Sequence, residues 1–163
     1  MKRKIFVCCS FLPVKSFLEQ RFGNNHYFLE RHAGLIQPEE DLAMIEELLQ
    51  TGNFDELIFT IDLDCIFFQE IISQKNDLDF PQKDFLKHIF RKNFTEIQKE
   101  TKFSSKVAAL YLAYLEEISF TLSKEMYFLE SIYGDQLHLK GMLTQVRKEK
   151  SIEFNINLAT QAL

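Results

Sequence analysis

Residues 55–65, DELIFTIDLDC, form a run rich in β-branched, leucine and aromatic residues that ends on a cysteine. A second run, KIFVCCS at residues 4–10, has Cys9 near its end. Near-continuous apolar runs of this length are typical of strands in a parallel sheet that helices cover on both faces. We therefore predict two neighbouring parallel strands whose carboxyl ends bring Cys9 and Cys65 to one edge of the sheet, where open α/β folds form their ligand crevices.

The first half of the chain alternates between strand and helix patterns. In chain order, the patterns predict a strand at 4–10, a helix from Pro13 to Gly23, a strand at 25–32, a helix from Pro38 to Gly52, a strand at 54–62 and a helix at 66–73. The acidic residues after Pro38 suit the positive end of a helix dipole. Alternation at these short intervals favours a parallel sheet with right-handed crossovers.

The second half is mainly helical and closes with two strands. After a turn-rich break at 76–82, the patterns predict helices at 83–99 and 104–133 and strands at 137–146 and 151–156. The last helix carries an apolar stripe from Val107 to Ile132 that is wide enough for core packing or for subunit contact. We predict one α/β domain over residues 1–163, with a central, mostly parallel sheet flanked by helices, C-terminal helices and a closing strand pair.

Composition narrows the class of protein. The chain has 163 residues, 46% of them hydrophobic, and a formal net charge of -5, with basic residues scattered rather than clustered, so we expect no nucleic-acid partner. No stretch approaches the ~20 apolar residues of a membrane helix, so we expect no membrane partner. The apolar run near the N-terminus is broken by Pro13 and lacks a cleavage pattern, which disfavours export. Three cysteines, two of them vicinal, favour a reducing cytoplasm.

Three short motifs give a family resemblance. The chain has C-S-F-L-P-V at residues 9–14, R-H-A-G at 31–34 and I-D-L-D-C-I at 61–66. Their order and spacing resemble those of the β-class carbonic anhydrases, which carry C-(S/M/A)-D-S-R-V, R-N-A-G and G-H-(S/T)-D-C-G. Residues 137–154 also look like the closing strand pair of that family. The resemblance covers roughly residues 3–75 and 136–154 and implies the same fold.

The resemblance implies a metal site that has changed. Cys9 and Cys65 stand where the family has its two zinc-binding cysteines, and Asp62 stands where it has the zinc-binding histidine. Phe11 replaces the aspartate that meets the zinc or its water, and Pro13 replaces the arginine paired with that aspartate. The catalytic dyad is therefore missing, and we assign no catalytic residue.

Zinc chemistry allows an altered site but disfavours hydration of carbon dioxide. A catalytic zinc takes about three protein ligands and an open position for water, whose pKa it lowers to ~7. Cys9, Asp62 and Cys65 supply that count, but three anionic ligands should raise the pKa of the bound water and repel bicarbonate. Phe11 and Pro13 offer neither a hydrogen bond to orient hydroxide nor a cation to anchor the anion. We expect weak or absent hydratase activity.

Each candidate residue has a plainer interpretation. Three roles are open for Cys9 and Cys65: small hydrophobic side chains buried by packing, metal ligands or a redox pair. One of the two aspartates 62 and 64 is expected to face the crevice, and we expect Asp64 to cap the following helix. His32 replaces the asparagine of the second motif and is either a nitrogen ligand or a solvent-facing loop histidine. Ile66 replaces a glycine of the third motif and is expected to crowd the site.

Two functions of different classes follow. The first is a carbonic-anhydrase-like pseudoenzyme that acts as a binding or scaffold module, with an apolar pocket at Phe11 and Pro13. The second is a zinc-dependent lyase of the carbonate dehydratase type that uses Cys9, Asp62 and Cys65. Metal storage or sensing without turnover is a third possibility. Members of the resembled family are commonly dimers, so we also expect a homodimer.

Overall fold

The computed structural model describes residues 2–11 and 13–158, and its centre is a five-stranded sheet. The strands are β1 (Arg3–Cys9), β2 (Tyr27–Arg31), β3 (Phe54–Asp62), β4 (His138–Gln145) and β5 (Lys150–Asn155). Their order across the sheet is β2-β1-β3-β4-β5. The first three pairs are parallel, and only β4 and β5 are antiparallel. The predicted mostly parallel sheet with a closing strand pair is confirmed.

β1 and β3 are neighbours that run in the same direction. Their register pairs Ile5 with Leu57 and Val7 with Phe59. Eight of the nine residues of β3 are buried, because helices cover both faces of a parallel sheet, and this explains the nearly unbroken apolar run. The carboxyl ends of both strands consequently reach the same edge of the sheet.

Seven helices occur in the described ranges. They are α1 (Val14–Phe22), α2 (Pro38–Thr51), α3 (Ile66–Ile72), α4 (Lys83–Lys92), α5 (Phe94–Gln98), α6 (Phe103–Ser123) and α7 (Met126–Tyr133). Short 3₁₀ turns lie at His32–Gly34 and Val146–Lys148. Two predicted helix ends are close to those observed: α1 stops before Gly23, which has a φ of 90°, and α2 starts at Pro38. None of these helices is both long and apolar enough to cross a membrane.

Two of the predicted helices are each divided in two. The helix expected at 83–99 breaks at Asn93, whose side chain donates a hydrogen bond of 2.8 Å to the carbonyl of Ile89 and so competes with the backbone ladder. The helix expected at 104–133 breaks at Glu125, which has an extended backbone with φ -96° and ψ 113°. The apolar spacing continues through both breaks, so periodicity alone predicted longer helices.

The apolar stripe of α6 packs mainly inside the chain. Its buried members are Val107, Leu110, Tyr111, Tyr114, Leu115, Ile118 and Leu122. α6 lies close to the sheet at Gly141, where an added methyl group would be 3.0 Å from the Leu115 side chain. Each large side chain buried here contributes about 1.5–3 kcal/mol. Of the two roles expected for this stripe, core packing therefore accounts for most of its α6 positions.

A line of charges crosses four adjacent strands. Glu56 on β3 pairs with Lys4 on β1 and with Lys140 on β4 at 2.6 Å, and Lys140 reaches Glu153 on β5 at 3.2 Å. Burial alone would raise the pKa of the Glu56 carboxyl, but hydrogen bonds from Lys140 and Lys4 outweigh it and hold the pKa below its ordinary value. The ionised carboxylate therefore stabilises the alignment of the strands.

We expect Glu56→Gln to lower the free energy of unfolding by about 1–3 kcal/mol near neutral pH, because two lysines lose a charged hydrogen-bond acceptor. The folded-state pKa lies below the ordinary value, so the stabilisation is complete above that value and disappears as the pH falls through the folded-state pKa. Urea unfolding of both proteins from about pH 7 to about pH 3 should show the difference closing in acid.

The matched control is Glu130→Gln, since Glu130 is exposed on α7. We expect it to change the free energy of unfolding by less than about 0.5 kcal/mol at every pH. Equal effects of the two substitutions, or a difference that stays constant with pH, would contradict this account of Glu56.

Candidate functional site

The structure brings two thiols together at the carboxyl edge of the sheet. Cys9 is the last residue of β1, and Cys65 lies three residues after the end of β3. The two side chains share a hydrogen bond. Both are buried, with 1% and 0% of their surfaces exposed. The adjacency of β1 and β3 is what makes this contact possible.

The surroundings of Cys65 disfavour negative charge on its sulfur. A hydrogen bond that the Cys65 S–H donates to Cys9, burial and the charge of Cys9 raise the pKa of Cys65 well above its ordinary value, while backbone N–H groups of Phe67 and Phe68 act in the opposite direction. The N–H group of Phe11 lies 3.5 Å from the sulfur of Cys9 and donates to it. The neutral form of Cys65 is therefore favoured at neutral pH, and the sulfur of Cys9 is the acceptor of both hydrogen bonds.

Cys8 belongs to a different environment. Burial and the charge of Glu30 raise its pKa to about 12, and Lys15 on α1 lowers it slightly. Successive side chains of a strand point to opposite faces, so Cys8 faces away from Cys9. Three cysteines thus give one contacting pair and one isolated thiol within the core.

Asp62 is occupied by structural hydrogen bonds. One carboxylate oxygen accepts from the hydroxyl of Thr144 at 2.8 Å and from the N–H of Val146 at 2.8 Å. The other oxygen accepts from the N–H of Asp64 at 3.0 Å. Asp62 is only 2% exposed. It therefore fastens the end of β3 to the end of β4, instead of completing a ligand set with the two thiols.

No three His, Cys, Asp or Glu side chains within residues 2–11 and 13–158 are grouped closely enough to hold a metal ion. The residues suggested by the resemblance are nevertheless neighbours along one sheet edge, because Asp62 ends β3 and Cys65 follows it. What separates Asp62 from the thiols is its set of hydrogen-bond partners, two of which come from residues more than 80 positions away in the chain.

Two local expectations were wrong. Cys65, not Asp64, occupies the N-cap position of α3, and no side-chain hydrogen bond caps this helix. Asp64 stands one residue too early, and its carboxylate instead lies 3.5 Å from Arg147 at the surface. Ile66 does not crowd the thiols, since 46% of its surface is exposed.

Four aromatic rings cluster beside the segments that follow Cys9 and Cys65, and we call this group the aromatic cover: Phe11, His32, Phe67 and Phe80. The Phe11 ring centre lies 4.9 Å from that of His32 and 5.1 Å from that of Phe67, and Phe67 lies 4.7 Å from Phe80. Phe67 and Phe80 are buried, whereas Phe11 is 59% exposed. His32 is thus part of an aromatic cluster next to the crevice.

The loop that carries His32 is held tightly against the sheet. Ala33 and Gly34 have positive φ values of 57° and 67°. A methyl group added at Gly34 would lie 2.8 Å from the carbonyl oxygen of Thr60 and 3.8 Å from the nitrogen of Cys9. Only glycine allows this approach of the loop to the ends of β1 and β3. His32 therefore has a fixed place in the aromatic cover.

Three residues of this region, Phe67, Phe80 and Tyr111, were not predicted from the sequence to lie near the site. Phe67 follows Cys65 by two positions, so the run IFFQEII could have indicated an aromatic residue near the thiols. Phe80 has no such signal in the sequence, because it lies 15 positions after Cys65. Tyr111 on α6 lies close enough to Cys8 and Cys65 for their charges to raise its pKa, although burial is the main cause. Among the described residues its buried hydroxyl has no hydrogen-bond partner.

The order of the strands, their directions and the thiol-bearing sheet edge define a β-carbonic-anhydrase fold. The fold is similar to that of the β-carbonic anhydrase CafD of Aspergillus fumigatus, with a TM-score of 0.76 and 12% sequence identity over 94% of this chain and 90% of that chain. A tetrameric β-carbonic anhydrase of Sordaria macrospora has a TM-score of 0.71 and 15% identity, covering 97% of this chain and 83% of its own. The β-carbonic anhydrase CcaA has a TM-score of 0.72 and 20% identity, covering 94% of this chain and 73% of its own. No protein-family model and no curated protein sequence matches the chain. At these identities the similarity concerns the fold, and it confirms the predicted resemblance in that respect.

We expect Asp62→Asn to lower the free energy of unfolding by about 1–3 kcal/mol, because an amide cannot accept all three hydrogen bonds that the carboxylate accepts. Asp64→Asn is the matched control: it makes the same chemical change two residues away, where 35% of the side chain is exposed, and should cost less than about 0.5 kcal/mol. Urea unfolding monitored by circular dichroism measures both. Similar effects of the two variants would contradict the structural role of Asp62.

Proposed function

We propose that this protein is a carbonic-anhydrase-like pseudoenzyme that acts as a binding or scaffold module. The observation that carries the proposal is the carboxylate of Asp62, whose two oxygens are used in three hydrogen bonds within the fold. This residue stands where the resembled family has a zinc ligand. Its use as a structural side chain argues against a conserved metal function.

The available donors do not fit a catalytic zinc. Such a site takes about three protein ligands and an open position. Of the three candidate ligands, Cys9 and Cys65 share a hydrogen bond, whereas the carboxylate of Asp62 is used in three hydrogen bonds within the fold. Recruiting Asp62 would remove three hydrogen bonds, two of which join the end of β3 to the end of β4. Zinc thiolates must also be deprotonated, and the pKa of Cys65 is raised by Cys9 and by burial. We therefore derive no reaction step through a metal.

The aromatic cover supports recognition of an apolar group. Phe11 and Pro13 provide neither a charge nor a hydrogen-bonding side chain at the positions where the resembled family has aspartate and arginine. The exposed Phe11 ring rests on His32 and Phe67 and offers an apolar surface beside the thiols. An apolar group of a ligand or partner would gain by covering this surface.

The second candidate is a zinc-dependent carbonic anhydrase with an altered site of Cys9, Asp62 and Cys65. The contact between the two thiols favours it, because they already lie at the common sheet edge that two shared zinc ligands require. His32 is the remaining nitrogen donor beside the crevice. Metal storage or sensing without turnover would use the same residues.

We expect protein purified without chelator to contain zinc well below one equivalent per chain and to leave the rate of carbon dioxide hydration unchanged. Mass spectrometry of the metal and stopped-flow hydration assays measure the two quantities, with Cys65→Ser as the comparison. Stoichiometric zinc that is lost in Cys65→Ser, together with hydration activity, would establish the enzyme instead. Stoichiometric zinc without activity would indicate storage or sensing.

The proposal also includes one domain over residues 1–163, a cytoplasmic location and a homodimer. Two vicinal cysteines and a third make a poor disulfide framework, which supports a reducing compartment.

The strand β5 supports the proposed homodimer. In the described sheet β5 pairs only with β4, and its outer edge is open. Ile152 on β5 is 67% exposed beside a groove of about 380 Å³ that Leu63 and Leu143 also line. Open, apolar strand edges favour pairing with another chain. The similar enzyme of Sordaria macrospora is tetrameric.

We expect the protein to have the mass of a dimer in light scattering at micromolar concentration, and Ile152→Lys to shift it toward the monomer. Met126→Lys is the matched control, because Met126 is equally exposed at 65% but lies on α7. A monomeric wild-type protein would contradict the dimer. A dimer that Met126→Lys disrupts and Ile152→Lys does not would place the interface elsewhere.

A further inference from the structure

We propose that Cys9 and Cys65 are a redox-active pair that forms a reversible disulfide across the carboxyl ends of β1 and β3. The inference rests on the proposed function in one respect, namely that no metal holds the two sulfurs. It goes beyond that function because it assigns a chemical modification and a regulatory state to the site.

The geometry of the sheet favours this bond. Cys9 ends β1, and Cys65 stands at the N-cap of α3, three residues beyond the neighbouring strand β3. The two side chains are already hydrogen-bonded to each other, so each sulfur points toward its partner. Cys8 is buried on the opposite face of β1, near Lys15 and Glu30, and cannot reach the same position.

Burial is compatible with either form of the pair. Both residues are essentially inaccessible to water, with 1% and 0% of their surfaces exposed. The dithiol and the disulfide are both neutral, so oxidation places no new charge in this buried site.

The reaction is balanced with a peroxide as the oxidant. The sulfur of Cys9, which accepts hydrogen bonds from the N–H of Phe11 and the S–H of Cys65, loses its proton and attacks one oxygen of hydrogen peroxide. The O–O bond breaks, a sulfenic acid forms on Cys9, and the departing hydroxide takes up the proton and leaves as water. The sulfur of Cys65 then attacks the sulfenic sulfur and releases a second water. Two S–H bonds are lost, one S–S bond forms, and two electrons pass to the peroxide. A small-molecule thiol reverses the change by thiol–disulfide exchange.

We expect the aromatic cover to limit access to the pair. Phe11 connects the segment after Cys9 to Phe67, which follows Cys65, and it is the exposed member of the cover. Removing its ring would open a path to the sulfurs while leaving both cysteines in place. Phe11→Ala should therefore form the disulfide several-fold faster than the wild-type protein.

The test treats the reduced full-length protein with hydrogen peroxide, blocks remaining thiols with an alkylating agent in denaturant and maps the cysteines by mass spectrometry. We expect loss of two hydrogens, a cross-link that joins residues 5–15 to residues 32–75 after trypsin, and one alkylated cysteine. Cys8 and Cys9 share a tryptic peptide, so Cys8→Ser is the matched control and should retain the cross-link. Cys9→Ser and Cys65→Ser should lose it. The oxidised wild-type protein should have a higher Tm.

Full alkylation of all three cysteines after peroxide treatment, or a cross-link that contains Cys8, would overturn the proposal without any variant having to fold. Zinc content measured on the same reduced sample separates the two proposals. Stoichiometric zinc refutes the metal-free function, and repeating the oxidation after zinc removal then tests the disulfide by itself. Metal-free protein that forms no Cys9–Cys65 cross-link refutes the disulfide alone.

Discussion

The parallel pairing of β1 with β3 is the constraint on which the site depends. Because both strands run in one direction and lie side by side, residues far apart in sequence reach one edge of the sheet. Cys9 and Cys65 meet there and share a hydrogen bond. The loop at His32–Gly34 then packs against the same two strand ends, at a distance that only glycine at position 34 allows. An antiparallel arrangement would have sent the two thiols to opposite ends of the sheet.

At this edge of the sheet, the side chain of Asp62 has a structural role, because its carboxylate holds two strands together through hydrogen bonds. Its carboxylate accepts hydrogen bonds from Thr144 and Val146, so it holds the end of β3 against the end of β4. A buried carboxylate with three donors is well satisfied, and turning it toward a metal would break these hydrogen bonds. The position that the family resemblance identifies as a ligand is therefore a link between strands in this protein.

The chemistry proposed for this edge involves two buried sulfurs close to aromatic side chains. Burial raises the pKa of Cys65, and Phe11 and Pro13 supply no charge beside the pair. These features fit the apolar recognition and the sulfur chemistry that we propose. The fold is that of the β-carbonic anhydrases, while the side chains at its sheet edge differ from the motifs of that family.

The sequence by itself determined the strand runs, their parallel alternation with helices and the meeting of residues 9 and 65, because these follow from local apolar patterns and from the geometry of parallel sheets. It did not determine the breaks at Asn93 and Glu125, since the apolar spacing continues through them. Only the tertiary structure decided the role of Asp62 and the contact of Phe80 with Phe67. Both depend on contacts between distant parts of the chain, such as the 82 positions that separate Asp62 from Thr144, and no local pattern records such contacts.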